Sequence, residues 1–143
     1  MNMKKFAVLS GIILVFIFAG CKKENSGQTS TLIFGDTTEI SMSEKLYNYE
    51  NNISIKLDSI LNDSRCPASV DCIWAGNAEV KYIFTQNDIE NTIILNTLGG
   101  SNFKSDTIIT GYTIELINLY PYPEEPGEIG QGNYYSDVLV LKN

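Results

Sequence analysis

The chain has 143 residues, a formal net charge of −7 and not a single histidine. Without histidine, the chain lacks Ser-His-Asp and Cys-His catalysis, histidine-ligated zinc and imidazole acid–base chemistry near neutral pH. An acidic chain with no basic patch repels phosphate backbones, so we expect no nucleic-acid partner. These exclusions favour a non-catalytic protein without a metal or a cofactor.

A short basic region and an apolar run open the chain. Lys4 and Lys5 precede an apolar run over residues 6–19. A helix that crosses a bilayer core of roughly 30 Å needs about 20 residues, so this run is short for a membrane span. The pattern predicts a signal peptide over residues 1–20. A short transmembrane anchor and an ordinary secretory signal are the alternatives.

The apolar run ends in small residues and a cysteine, Phe18-Ala19-Gly20-Cys21. These residues resemble the lipobox of bacterial lipoproteins, with Phe18 at a position where leucine is more usual. The resemblance implies cleavage before Cys21 and a diacylglycerol on the Cys21 thiol. Because each buried CH₂ contributes about 0.8 kcal/mol, the several acyl chains of a processed lipoprotein hold a protein on a membrane for long times. The first expected partner is therefore the membrane.

Residues 21–30 are polar, lack aromatic side chains and predict a flexible tether. Lys22, Lys23 and Glu24 resemble in part a signal for export to the cell surface in one group of Gram-negative bacteria. We expect a place in the cell envelope, at the outer membrane, with the leaflet left open. Removal of the signal peptide takes away two lysines and no acid, so the tethered chain is more acidic still.

Residues 31–143 show the two-residue alternation of half-buried strands. Ile53, Ile55 and Leu57 alternate with polar residues, and the same pattern recurs over residues 78–84 and 112–116. Further strand candidates are residues 31–34, 38–42, 93–98, 107–110 and 135–141. Glycines and prolines separate these segments, and no stretch has a sustained helical stripe. The pattern predicts one all-β domain, an antiparallel β-sandwich of immunoglobulin-like appearance, with a small β-barrel as the alternative.

Cys66 and Cys72 are the cysteines that remain if a lipid occupies Cys21. In an oxidising compartment, an even pair at this spacing predicts a disulfide. Closing so small a ring adds roughly 2 to 3 kcal/mol to the free energy of unfolding. Pro67 restricts the backbone inside the ring. A metal site would need more ligands than two thiolates, and a redox motif would need a closer spacing.

The only arginine and the only tryptophan of the chain, Arg65 and Trp74, flank the cysteines. In one interpretation they form a structural latch, and Trp74 covers the disulfide and packs into the core. Arg65 then lies on an aromatic ring, or forks onto a carboxylate such as Asp63 or Asp71. In the other interpretation, an exposed arginine and tryptophan form a recognition hot spot. We prefer the latch, because a lone arginine beside a disulfide more often binds within its own loop.

The segment DSRCPASVDCIWAGNAEV, residues 63–80, resembles a group of small secreted and lipoprotein domains of bacteria. The shared features are DSRCP and C-x-W-x-G. The alternating strand before the segment and GYTIELINLYPYP after it extend the resemblance over most of the chain from Ile40 onward. The resemblance implies the same β-fold and the same disulfide. It implies nothing about catalysis, because the group has no assigned activity.

Residues 121–135 combine acids with tyrosines. Glu124, Glu125 and Glu128 could hold Ca²⁺, although the spacing of a calcium-binding loop is missing. The tyrosines that could stack sugars are Tyr120, Tyr122, Tyr134 and Tyr135. We prefer a long solvated hairpin loop, which prolines and glycines keep away from the sheet. Residues 46–52 are predicted to be a strand connection too.

Three functions from different classes remain. The strong signals concern anchoring and rigidity, so we prefer a non-catalytic binding module of the envelope, with a protein or a glycan as its further partner. An inhibitor of secreted proteases would need an exposed, rigid and extended loop. A carboxylate hydrolase would need two inward-facing acids about 5 to 10 Å apart in a cleft. Glu124 and Glu125 do not suit it, because neighbours on an extended chain point apart.

Overall fold

A computed structural model describes residues 30–143. The predicted signal peptide, Cys21 and the rest of the predicted tether up to residue 29 lie outside the described residues, and the predictions for them stay predictions. Residues 30–143 are built from β-strands and one short 3₁₀ helix, with no α-helix in that range. Accordingly, this part of the chain holds no helix long and apolar enough to cross a membrane.

Eight strands follow one another along the described chain. They are β1 (Thr37–Ser41), β2 (Lys45–Asn48), β3 (Ile53–Asp63), β4 (Ala78–Gln86), β5 (Ile89–Asn96), β6 (Asp106–Ile109), β7 (Tyr112–Tyr120) and β8 (Tyr135–Lys142). The 3₁₀ helix, Gln131–Asn133, lies just before β8.

The strands form two four-stranded sheets, in the orders β1-β8-β7-β6 and β2-β3-β4-β5. Strands β2 to β5 follow one another as antiparallel neighbours in one sheet. Strands β6 to β8 do the same in the other sheet, where β1 pairs with β8. Because the strands divide into two separate sheets and do not close on one another, the predicted antiparallel β-sandwich is confirmed and the barrel alternative is wrong.

The core lies between the sheets and takes alternate residues from the strands. In β4, Ala78, Val80, Tyr82 and Phe84 are buried, and the residues between them are partly exposed. Strand β7 alternates in the same way up to Leu116, where a β-bulge shifts its register against β8. The period-two pattern therefore predicted correctly which side chains of β4 fill the core.

Two segments differ from the sequence prediction. Residues 31–34 form no strand, because Thr31 makes only an isolated bridge and the chain then turns at Gly35, where φ is +84°. Residues 46–52, predicted to be a connection, contribute their first three residues to β2. The reason is Leu46, which is fully buried and belongs to the core.

Candidate functional site

The stapled loop, residues 66–76, extends from the ends of β3 and β4. At its base, the Cys66 N–H donates to the Ala75 carbonyl oxygen at 2.8 Å, which continues the pairing of the two strands. Gly76 has a φ of +72°, and a Cβ at this position would lie 1.8 Å from the Ser64 carbonyl oxygen. Only glycine tolerates both the backbone conformation and the close approach. The backbone therefore fixes the base of the loop.

The predicted disulfide between Cys66 and Cys72 is confirmed. The two sulfurs lie 2.10 Å apart and the two Cα atoms 6.0 Å apart. Sulfurs that are bonded to each other are not thiolate ligands, so the metal-site alternative does not apply to the oxidised protein. The loop is therefore held at two levels, by the backbone hydrogen bond between Cys66 and Ala75 at its base and by the disulfide.

Arg65 is almost entirely buried, with 6% of its side chain exposed. Its guanidinium forks onto Asp63, with Nε 2.9 Å from Oδ1 and Nη2 2.7 Å from Oδ2. It also donates to two carbonyl oxygens, from Nη1 to Leu119 at 2.6 Å and from Nη2 to Pro121 at 2.8 Å. Its Cζ lies 5.3 Å from the centre of the Tyr122 ring. One side chain thus ties the end of β3 to the end of β7 in the other sheet.

The Asp63 carboxylate is the charged partner of Arg65, and we call this pair of residues the latch. Burial alone would raise the pKa of Asp63, but hydrogen bonds from Arg65 and Tyr134, together with the charge of Arg65, outweigh burial and lower it below 3.8. The Tyr134 hydroxyl donates to Asp63 Oδ2 at 3.0 Å. Burial, and then this hydrogen bond, raise the pKa of Tyr134 to about 12. At neutral pH the carboxyl is therefore ionised and the phenol is neutral.

The long loop, which the structure places at residues 121–134, packs against the stapled loop. The Ala68 N–H donates to the Pro123 carbonyl oxygen at 2.9 Å. The Ser69 N–H donates to the Glu124 carbonyl oxygen at 3.0 Å. The Ser69 hydroxyl donates to Glu125 Oε2 at 2.9 Å. The sequence pattern marked both loops as unusual. It did not reveal that they meet, because most of these contacts join backbone groups, which every residue carries.

Gln131 fixes the far side of the long loop, and sequence reasoning missed it. Its side-chain amide accepts a hydrogen bond from the Ile60 N–H at 3.0 Å and donates one to the Ile60 carbonyl oxygen at 2.8 Å. The amide therefore pairs with β3 as a peptide group of a neighbouring strand would. A glutamine among glycines in a loop is ordinarily solvated, so neither its type nor its position signals this role.

Trp74 lies in solvent, with 77% of the residue exposed, and Ile73 beside it is 89% exposed. The interpretation that Trp74 covers the disulfide and packs into the core is wrong. The stapled loop projects beyond Ala78, where the buried alternation of β4 begins, so the core does not extend beneath Trp74. Arg65 is therefore the residue that forms the latch, whereas Trp74 belongs to the exposed surface. We call Val70, Ile73 and Trp74, which are all exposed, the tip of the stapled loop.

The glutamates of the long loop do not gather into a calcium site. Within residues 30–143, no group of three or more acidic or cysteine side chains is placed to hold a metal ion. Glu124, Glu125 and Glu128 are exposed and belong to no such group. The geometry of these residues gives the Ca²⁺ hypothesis no support.

The tyrosines near the long loop do not form one platform for a sugar. Tyr120 and Tyr135 stack on each other, with ring centres 5.0 Å apart and planes inclined by 17°. Tyr134 is buried beside the latch, and Tyr122 contacts Arg65. The four rings are thus divided between a stacked pair, a buried residue and a partner of Arg65, and they offer no single continuous face.

A polar groove of about 280 Å³ lies between the end of β3 and the long loop. Asn62 and Asp63 line one wall, and Glu128 and Gln131 line the other. Asp63 is engaged by Arg65 and by a tyrosine hydroxyl, so Glu128 is the one acid of the groove outside the latch. Hydrolysis by a pair of carboxylates needs two acids whose oxygens can reach the substrate. In this groove both carboxylate oxygens of Asp63 already accept hydrogen bonds within the latch.

No family model matches the chain, and neither a curated protein nor a solved structure matches it. The resemblance of residues 63–80 to small bacterial lipoprotein domains therefore stays a hypothesis.

Proposed function

We propose that this protein is a lipid-anchored, non-catalytic binding module of the bacterial cell envelope, and that the tip of the stapled loop is its binding surface. The observation that supports the proposal most is the exposure of Ile73 and Trp74 on a loop that is fixed at its base. Tryptophan is enriched among the residues that contribute most to binding. A loop that is already ordered loses little conformational entropy on binding, so more of the contact energy appears as affinity.

The engagement of Asp63 supports a non-catalytic role. Both of its carboxylate oxygens accept hydrogen bonds within the latch, and its pKa lies below the usual value. A general base near neutral pH needs a raised pKa and an accessible oxygen. A carboxylate hydrolase is therefore the weakest of the three candidate functions.

An inhibitor of secreted proteases is the second candidate, because the stapled loop is exposed and closed by a disulfide. In this alternative the loop occupies the cleft of a protease. Titration of the protein against secreted serine, cysteine and aspartic proteases tests it. Inhibition that disappears in a Trp74→Ala variant would favour this function, and the absence of inhibition would remove it.

Photo-crosslinking in living cells tests the binding surface. A photoreactive side chain placed at Ile73 should form an adduct with an envelope component, whose mass identifies it as protein, glycan or lipid. The matched control places the same side chain at Ile89, which is also well exposed, with 67% of its surface accessible, but begins β5 at the opposite end of the sandwich. Equal adducts at both positions, or none at Ile73, would contradict the proposal.

A fatty-acid label tests the anchor. Cells fed with a fatty-acid analogue should label the wild-type protein, and a Cys21→Ala variant should be unlabelled and released from membranes. An unlabelled wild-type protein, or a Cys21→Ala variant that still partitions fully into detergent, would refute the lipid anchor.

A further inference from the structure

Strand β5 lies at the edge of its sheet, with β4 on one side and no strand on the other. At the end of β5, the Asn96 N–H points to the open side and donates to the Lys104 carbonyl oxygen at 2.8 Å. Because the N–H and C=O groups of successive residues point to opposite sides of a strand, those of Glu90, Thr92 and Ile94 also point to the open side. Within residues 30–143, no backbone group is hydrogen-bonded to them there. We call these three residues the open edge.

The three other edge strands are shorter, and two of them are partly covered. In β2, the Tyr47 N–H donates to the Ser30 carbonyl oxygen at 3.0 Å. In β1, the Ser41 N–H donates to a carboxylate oxygen of Glu44 at 2.9 Å. Strand β6 has only four residues. Strand β5 has eight residues and contains no proline, no lysine and no β-bulge, which are features that block edge pairing in natural sheets. It is therefore the edge most open to a further strand.

The open edge is complementary to a second copy of itself. Two β5 strands can run antiparallel with Thr92 opposite Thr92 of the second copy, which places Glu90 opposite Ile94 of the second copy and the reverse. Each pair then joins residues whose N–H and C=O groups face each other and can exchange both hydrogen bonds. A slide by two residues leaves either Glu90 or Ile94 of each copy without such a partner. Thr92 is also the middle of the stretch between the turn at residues 87–88 and Asn96, so a strand of the same length fits there.

The side chains of β5 fit the same register. Glu90 is the only charged residue of β5, and it lies opposite an isoleucine and not opposite its own copy, so like charges do not meet. In the single chain, Ile94 is 49% exposed and Ile89 is 67% exposed. In the pair, Ile94 lies opposite Glu90, and Ile89 lies opposite Leu95 of the second copy. Both exposed apolar side chains of β5 therefore gain a neighbour.

We propose that this protein pairs with a second copy of itself through β5, so that the two sheets that contain β5 join into one continuous sheet. The contact is the same on both copies, as the two-fold symmetry of most homodimers requires. Strand β5 is antiparallel to β4, which begins at the stapled loop, so β5 runs towards that loop. In the antiparallel pair, the two stapled loops therefore lie at opposite ends. The inference does not depend on what the tip binds, and it adds that one dimer presents two tips.

Disulfide formation in the cell envelope tests the register. In a hydrogen-bonded antiparallel pair, the Cα atoms lie about 5.5 Å apart, which is within the range of a disulfide. The full-length variant Thr92→Cys should therefore shift to twice the mass of the chain on a non-reducing gel, and the wild-type chain gives the background. Thr92 is exposed, so the substitution should leave the fold intact.

Glu90→Cys is the matched control, because Glu90 lies on the same exposed face of the same strand. The two copies of this position lie about 14 Å apart along the strands, so no covalent dimer should form. Coexpression of Glu90→Cys with Ile94→Cys brings the thiols opposite each other and should restore the dimer. Adding Thr92→Lys to both chains should abolish that dimer, because like charges then lie opposite each other, whereas Thr92→Val should keep it.

Absence of a covalent dimer for Thr92→Cys, in a chain with an unchanged circular dichroism spectrum, would overturn the inference and leave the proposed function in place. Equal dimers from Thr92→Cys and Glu90→Cys would also overturn it, because random collision would explain them. A photoreactive side chain at Ile89 should give a further sign of the pair, an adduct at twice the mass of the chain. Its mass distinguishes this adduct from one with another envelope component.

Discussion

Arg65 satisfies three backbone and carboxylate partners at once because its donors are held in a planar fork. Two of these partners, the carbonyl oxygens of Leu119 and Pro121, lie at the point where β7 ends and the long loop begins. A buried carbonyl oxygen that loses its donor costs about 1 to 3 kcal/mol. The latch therefore depends on the shape of the side chain as well as on its charge.

We expect Arg65→Lys to lower the free energy of unfolding by about 2 to 4 kcal/mol, because an ammonium keeps the charge but loses the hydrogen bonds to at least two acceptors. Urea titration followed by circular dichroism measures the change. The matched control exchanges the same two side chains at a partly exposed ion pair, Lys81→Arg, where Lys81 lies 3.0 Å from Asp58. There the change should stay within about 0.5 kcal/mol. Equal midpoints for wild type and Arg65→Lys would show that the fork is not needed.

Acid should weaken the latch through Asp63. Because the pKa of the folded state is lowered below 3.8, the ionised carboxylate stabilises the protein above about pH 4, and this contribution is lost as pH falls through the folded-state pKa. The stability difference between wild type and Asp63→Asn should therefore be largest at neutral pH and should shrink below about pH 4. Urea midpoints across this range measure it. Asp71→Asn, an exposed change in the stapled loop, should follow wild type at each pH, and a constant difference for Asp63→Asn would contradict the assignment.

At the scale of elements, alternation predicted β4 because its residues face the core and the solvent in strict turn. Strand β3 was predicted as well, but its alternation does not hold to the end, since register shifts between Leu57 and Asn62 interrupt it. For the site, chemistry predicted Cys66–Cys72 and the contact of Arg65 with a carboxylate, because few residue types can form them. It could not predict that Trp74 is exposed, since that depends on how far the loop projects beyond the core.

The disulfide should stabilise the stapled loop without itself being reactive. Replacing Cys66 and Cys72 by alanine should lower the free energy of unfolding by roughly 2 to 3 kcal/mol, the cost expected for a ring of this size. In a Cys21→Ala background, thiol titration of the native oxidised protein should find no reactive thiol. The reduced protein of that background should unfold at the urea midpoint of the alanine variant. Two reactive thiols in the folded, oxidised protein would contradict the bond.

At the scale of the whole molecule, polar contacts join the two sheets in addition to the apolar core. The latch joins them next to the stapled loop, where Arg65 donates to the carbonyl oxygens of Leu119 and Pro121. A buried hydrogen bond joins them in the interior. The Tyr82 hydroxyl in β4 lies 2.7 Å from the Ser136 hydroxyl in β8, and both residues are fully buried. Burial raises the pKa of Tyr82, so the pair stays neutral. If one hydroxyl is removed, the other is left buried without a hydrogen-bond partner.

A double-mutant cycle tests this bond between the sheets. Tyr82→Phe and Ser136→Ala should each lower the free energy of unfolding by about 1 to 3 kcal/mol, because each leaves one buried hydroxyl without its partner. The double variant should lose less than the sum, with a coupling of at least about 0.5 kcal/mol, since no hydroxyl is then left unpaired. Urea midpoints of the four proteins give the coupling, and strictly additive losses would refute it. Thr85→Val is the control: the Thr85 hydroxyl is buried and has no hydrogen-bond partner within residues 30–143. Its removal should be neutral or stabilising, because a buried hydroxyl without a partner has already lost its hydration.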